Sequence, residues 1–289
     1  MEIDESINEW AQLNDREAVR EIKIGAAKPV NKANTTMRIT LLVLSLLTVY
    51  ALFTMNNDGI DVLKGFSDTA ANFGTMFTRP YSHRFTLWEA FCQIVVTMGL
   101  GFLTTLIGGI IALFLGLLGA QNLAPRRVTN LIKAFVAFIR AVPTVLWVLI
   151  FAVSAGLGSA AAVIGMTFHS AGYLIKAYSE SFEDLDKSVI EALKASGANW
   201  WQIVFQAVIP SSATYLLSWT FMRFEINFAN AVAMGAAAGA GGIGFDLFMA
   251  GEFYFDLREV GLITYFILAF AIVLEIISTN MKGRLKSKA

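Results

Sequence analysis

The chain has 289 residues, with 22 Lys and Arg balanced by 22 Asp and Glu, and it is 56% hydrophobic but only 15% charged. Soluble domains carry about 25% charged residues, so this balance argues against a soluble globular enzyme and excludes a disordered chain; no basic excess points to nucleic acid. A single cysteine, Cys92, excludes an internal disulfide and a cysteine zinc cluster.

A bilayer core about 30 Å thick requires about 20 mostly apolar residues of helix. Residues 1–36 are polar and of mixed charge, with Ile3, Ile7 and Trp10 at helical spacing. They read as a solvated tail, with an interfacial amphipathic helix as the alternative. Six segments then reach or approach spanning length: 37–55, 91–118, 134–155, 159–178, 213–238 and 257–281. Their length and lack of period-two alternation favour helices over a barrel, so the fold class is an all-α integral membrane protein of about six spans. The first span is not a signal peptide, because a polar stretch precedes it and no small-residue cleavage site follows. Residues 56–84 read as a solvated outer loop. The stretch 85–281 holds the core, including a polar loop at 179–212, and 282–289 form a charged tail.

Orientation follows from Lys and Arg. With both termini inside, sixteen of these residues fall on the inner side and only Lys64, Arg79, Arg84 and Arg258 outside. That asymmetry obeys the positive-inside rule, and an even number of spans independently puts both termini on one side. The zero net charge then divides into an inner side of +4 and an outer side of −4, with Arg140 and Arg223 offsetting Glu225 and Glu275 inside the spans.

Within 179–212, Val189, Ile190, Leu193 and Ala195 suggest a short amphipathic helix, which Gly197 ends by taking a left-handed conformation. A second apolar helical stretch, 200–208, is ended by Pro210, which starts the next span. Glu191, Ala192, Leu193, Gly197, Ala207, Ile209 and Pro210 stand at the positions of a pattern reading E-A-A, three residues, G, nine residues, I-x-L-P. The segment therefore resembles the coupling motif of the membrane subunits of ABC importers, with Leu193, Ala207 and Ile209 as apolar departures from it. The resemblance implies that this helix docks on a separate ATP-hydrolysing subunit, with Glu191 in a docking or bracing role. The chain has no phosphate-cradling loop of its own, since its Gly-rich stretch 235–244 lacks the Lys that such a loop requires. The chain itself therefore calls for no cofactor, and ATP and magnesium belong to the partner.

The stretch 221–244, FMRFEINFANAVAMGAAAGAGGIG, together with RAVPTV at 140–145 and SESFEDLD at 179–186, is similar to permeases of the phosphonate importer type, which include phosphite systems. The resemblance runs from about residue 86 to the C-terminus. Phe221-Met222 and Phe228-Ala229-Asn230 depart from the group's pattern. It implies a bacterial cytoplasmic-membrane subunit that pairs with an identical or paralogous permease, two ATPase subunits and an extracytoplasmic binding protein.

Charges inside spans are costly and face a cavity or a partner. Arg223, Asn227 and Asn230 share one helical face, whereas Glu225 lies about 200° around. They are either interhelical glue or the lining of an anion pathway. Arg140, three residues before Pro143, is a snorkelling cation or a gate beside a broken helix. His169 has no ligand cluster for a metal and reads as packing or pathway lining. Gly239, Gly241, Gly242 and Gly244 form a close turn at the outer end of the fifth span, with an anion nest as the alternative. The reading is an ATP-driven importer permease for phosphonate or a related phosphorus oxyanion. Its rivals are a permease of the same superfamily for another solute, such as methionine, and an ion-driven secondary transporter.

Overall fold

The computed structural model describes residues 32–54 and 61–286, so the possible interfacial helix around Ile3, Ile7 and Trp10 lies outside the described residues. The chain divides into two compact units at Gly65. In the first, α1 (Lys32–Thr54) is apolar on every side beyond Arg38 and has no buried residue, as a helix surrounded by lipid would be. Its hydroxyls turn back onto their own helix: Thr36 donates to the Lys32 carbonyl at 2.9 Å and Thr48 to that of Leu44 at 2.9 Å. This satisfies hydroxyls that would otherwise be costly in hydrocarbon.

The helix α2 (Val62–Thr78) stands where the sequence suggested a solvated loop. Phe66, Ala70, Phe73 and Phe77 recur at helical spacing and outweigh the scattered charges that favoured a loop. The Tyr265 hydroxyl donates to the Phe77 carbonyl at 2.6 Å, and Gly261 lets the Met76 carbonyl approach its backbone.

In the second unit, α3 (Leu87–Gly119) begins with a reciprocal cap between Thr86 and Glu89. Its 33 residues extend about 50 Å, well past the bilayer core. The third expected span is instead two helices, α4 (Arg126–Ala141) and α5 (Thr144–Ala155), bent by 88°. Pro143 removes the N–H that would bond the Ile139 carbonyl, and Val142 is driven into an extended conformation at φ −91°, ψ 124°. The Trp147 indole N–H donates to the abandoned Ile139 carbonyl at 3.0 Å, which keeps the break satisfied.

After the Gly156–Gly158 turn, α6 (Ser159–Glu183) runs past its expected end at 178, so Ser179 to Glu183 are helix rather than loop. Fifteen of its 25 residues are buried. Protein surrounds most of it, so its exterior is less apolar than that of a lipid-facing span. A short helix, α7 (Lys187–Ala195), precedes a continuous helical run of α8 (Trp200–Ile203), a π turn (Val204–Val208) and α9 (Ile209–Ala238). Pro210 therefore does not interrupt this run. The wider π turn, closed by Ile209 N–H to the Val204 carbonyl, absorbs its missing donor. Then α10 (Ile243–Phe248) and a second π turn lead to α11 (Leu257–Lys286), which extends past 281 into the expected tail.

Among the described residues, three helices are long and apolar enough to span, and up to five elements if each bent pair counts as one. Glycines of α3 let the bundle close. A Cβ at Gly101 would meet the Phe228 backbone at 3.0 Å, at Gly108 the Ser170 side chain at 3.3 Å, and at Gly116 the Tyr178 side chain at 3.1 Å. Three apolar clusters follow one another along the bundle. Ile94, Ile243 and Ile263 fill one end, Val148, Met166 and Met234 the middle, and Leu117, Phe182, Ile190 and Val208 the other end.

The end at which α3 begins is tied electrostatically. Arg84 donates to buried Glu259 at 2.7 Å, lies 3.5 Å from Asp256 and caps the Tyr254 ring at 4.0 Å. The hydrogen bond to Glu259 raises the Arg84 pKa above the ordinary arginine value. A raised folded-state pKa gives stability that is present below the unfolded value and is lost only as pH rises through the folded one. Arg84→Met will therefore lower the melting temperature in detergent by the same amount from pH 6 to 9. In the Glu259→Gln background the further loss will be small, because the buried carboxylate no longer needs a partner.

Candidate functional site

The expected polar face of α9 is buried against α3 and α6. Arg223 is 3% exposed, and its Nε–H donates to Ser170 Oγ at 3.1 Å. Asn227, fully buried, donates through Nδ2 to the same hydroxyl at 2.9 Å and to Thr105 Oγ1 at 2.8 Å. Arg223 Nη2 and Asn227 Oδ1 are buried without a hydrogen-bond partner, and Arg223 makes no salt bridge among the described residues. The charge is instead faced by an aromatic ring: Arg223 Cζ lies 5.1 Å from the Tyr173 centroid and Arg140 Cζ 5.0 Å from that same centroid. Two guanidinium groups thus share one tyrosine.

His169 sits one turn before Tyr173, facing the Val142 carbonyl at the Pro143 break and close to both arginines. The break in α4–α5 therefore brings Arg140, His169, Tyr173 and Arg223 together, which a straight third span would not do. Asn230 is half-buried and takes no part in this network. Glu225 faces elsewhere, lining a separate groove of about 380 Å³ between α9 and α11 with Glu275. Ser170, Thr105 and Tyr173 were not singled out from the sequence; a hydroxyl in an apolar helix looks the same whether it braces an arginine or bonds back to its own turn.

The segment after α6 is the second element of the site. Asp186 caps α7 by accepting the Ser188 N–H at 2.9 Å, which holds its carboxyl below the usual carboxylate range. The C-terminus closes with Ala198 N–H to the Leu193 carbonyl and Gly197 N–H to that of Lys194, both at 3.0 Å. This paired closure requires a left-handed residue, and Gly197 supplies it at φ 84°. Ile190 is buried in the core, Leu193 is half-buried, and Glu191 and Ala192 face outward. Asn199 and Gln202 cap α8 reciprocally, and the Trp200 indole donates to the Leu123 carbonyl at 2.9 Å. Ile209 and Pro210 sit where the π turn gives way to α9, next to buried Val208. The short helix is thus fixed to the bundle on one face and presents a carboxylate on the other.

The glycine stretch is a close-packed turn. Gly239, Gly241 and Gly242 have φ of 60°, 79° and 72°. Two N–H groups at its end are bonded internally: Ile243 N–H donates to Thr97 Oγ1 at 3.0 Å and Phe245 N–H to the Gly242 carbonyl at 3.1 Å. Gly244 brings the chain directly against the Val232 carbonyl.

Long apolar helices, bent helix pairs, a buried arginine and an exposed short helix are the features of a multi-pass membrane protein. The chain matches the family described as binding-protein-dependent transport system inner membrane component over residues 110–288, and it belongs to that family. It is 29% identical over 199 residues to the phosphate-import permease protein PhnE of Mycolicibacterium smegmatis, covering 68% of this chain and 37% of that protein. It is also 29% identical over 194 residues to the phosphite transport system permease protein PtxC of Stutzerimonas stutzeri, covering 67% of this chain and 70% of that one. A chain of the inward-facing MetNI methionine ABC transporter superimposes with a TM-score of 0.64 at 19% identity, covering 71% of this chain and 99% of that one.

Proposed function

We propose that the chain is the membrane-spanning subunit of an ATP-driven importer for phosphonate or a related phosphorus oxyanion. The observation that carries the reading is the buried arginine: Arg223 has no carboxylate partner among the described residues and shares Tyr173 with Arg140. An intramembrane cation without a counter-charge suits a pathway whose passenger is the counter-charge. The names of the phosphate and phosphite relatives support the same ligand chemistry. Two permease chains, identical or paralogous, would enclose the path, with both termini cytoplasmic. A binding protein would deliver the anion outside, and two ATPase subunits holding ATP and magnesium would act inside. The chain itself performs no chemical step.

In this reading α7 is the coupling element. Glu191 and Ala192 face the ATPase, while Ile190 and Trp200 anchor the helix to the bundle, so a push on α7 reaches α6 and α9. The complex reconstituted in proteoliposomes with its ATPase and binding protein is expected to hydrolyse ATP faster and take up label when given methylphosphonate, phosphite or phosphate. Stimulation by methionine alone would replace the ligand assignment. Glu191→Ala is expected to cut uptake about tenfold or more without lowering the melting temperature, since Glu191 is exposed and its loss leaves no cavity. Unchanged uptake in that variant would point to a carrier that works without an ATPase.

A further inference from the structure

Between α4 and α6 lies a half-open groove of about 310 Å³, at the end of the bundle that bears α7. Its size is at the small end of ligand cavities, which run from about 300 to 1,000 Å³. Lys133, Arg140, Lys176, Glu180 and Glu183 line it. The two lysines are already paired: Lys133 Nζ lies 3.0 Å from Glu183 and Lys176 Nζ 3.5 Å from Glu180. Arg140 makes no ion pair among the described residues and rests on Tyr173, the ring it shares with Arg223. Glu183 also accepts the Gln121 N–H at 2.9 Å, and it stands three residues before Asp186, the cap of α7.

We propose that this groove is an oxyanion release site, with Arg140 as its primary ligand and Lys133 and Lys176 as ligands held in competition by Glu183 and Glu180. The proposal rests on the oxyanion-import reading and extends it. Three cations and two carboxylates leave the groove one positive charge in excess. A small oxyanion arriving from Arg223 crosses one aromatic ring to Arg140, where a fork of N–H donors matches its oxygens. Whether it stays depends on the lysines. While Glu183 and Glu180 hold them, the anion has a single cation and leaves readily. Glu183 is on the last turn of α6, directly before the coupling helix, so displacement of α7 alters the contest for Lys133. The carboxylates thus keep the exit weak, which release into the cytoplasm requires.

The test uses the full chain assembled with its ATPase subunits in nanodiscs, without nucleotide, and labelled inorganic phosphate as the probe in equilibrium dialysis. Arg140→Gln is expected to weaken phosphate binding about tenfold, and Arg140→Lys to recover part of it. Glu183→Gln frees Lys133 and is expected to tighten binding about threefold or more, while slowing phosphate uptake because release is slower. Lys133→Gln in the Glu183→Gln background is expected to remove that gain. Unchanged binding in Arg140→Gln, or unchanged or weaker binding in Glu183→Gln, overturns the proposal. Uptake separates the two readings. Phosphate bound as described without any uptake refutes import alone, and uptake intact with no Glu183 effect refutes the release site alone.

Discussion

Arg223→Leu is expected to abolish phosphorus-oxyanion uptake, by about a hundredfold or more, while leaving the melting temperature of the purified protein unchanged or higher. Arg223 is 3% exposed, makes one hydrogen bond to Ser170 and has Nη2 without a hydrogen-bond partner. Burying such a charge costs folding energy that nothing in the described residues repays in full, so an apolar replacement of similar length relieves it. A passing anion that accepts from the guanidinium gains about 1.5–3 kcal/mol per charge-assisted bond. Losing two such bonds corresponds to about a hundredfold or more. Arg223→Lys keeps the charge but not the planar fork, so uptake should be intermediate. A drop in stability with uptake in proportion would show that Arg223 is interhelical glue instead.

The largest stability effect is expected at Gly244. An alanine there places its methyl group directly against the Val232 carbonyl, and a Cβ at Gly235 on the facing helix would lie 2.8 Å from the Gly241 carbonyl. Both partners are backbone, so no rotamer change makes room. Ordinary overpacking costs about 1–3 kcal/mol, and Gly244→Ala should exceed that range and yield little folded protein by size-exclusion chromatography. The control is Gly74→Ala on α2, where a Cβ meets nothing within 4 Å. An exposed helical glycine replaced by alanine stabilises by about 0.5–1 kcal/mol. A Gly244→Ala protein that melts with the wild type would mean that the turn after α9 can open at no cost.

Most of the helices could be read from composition and periodicity because lipid imposes a length and a polarity on each. The places where this failed have local causes. In α2, phenylalanines separated by small residues carry a helical stripe too weak to stand out from its charges. In α6, burial by neighbouring helices removes the need for an apolar exterior, so hydropathy underrates it. At Pro143 the sequence marked a weak point but not an 88° bend, since the bend depends on Trp147 being in place to bond the released Ile139 carbonyl. Pro210 is the converse, a proline that a π turn absorbs.

The short helix α7 was set by local chemistry: Asp186, Gly197 and the spacing between them fix its two ends whatever surrounds it. The shared face of Arg223 and Asn227, and the separate direction of Glu225, followed from helical geometry alone. The partners of that face did not. Ser170, Thr105, Tyr173 and Arg140 come from three other helices, and the glycines of α3 and the break at Pro143 determine which of them lie near Arg223. Periodicity acts along one helix and is therefore written in sequence. Which faces meet is decided by close packing between helices, and only the tertiary structure contains it.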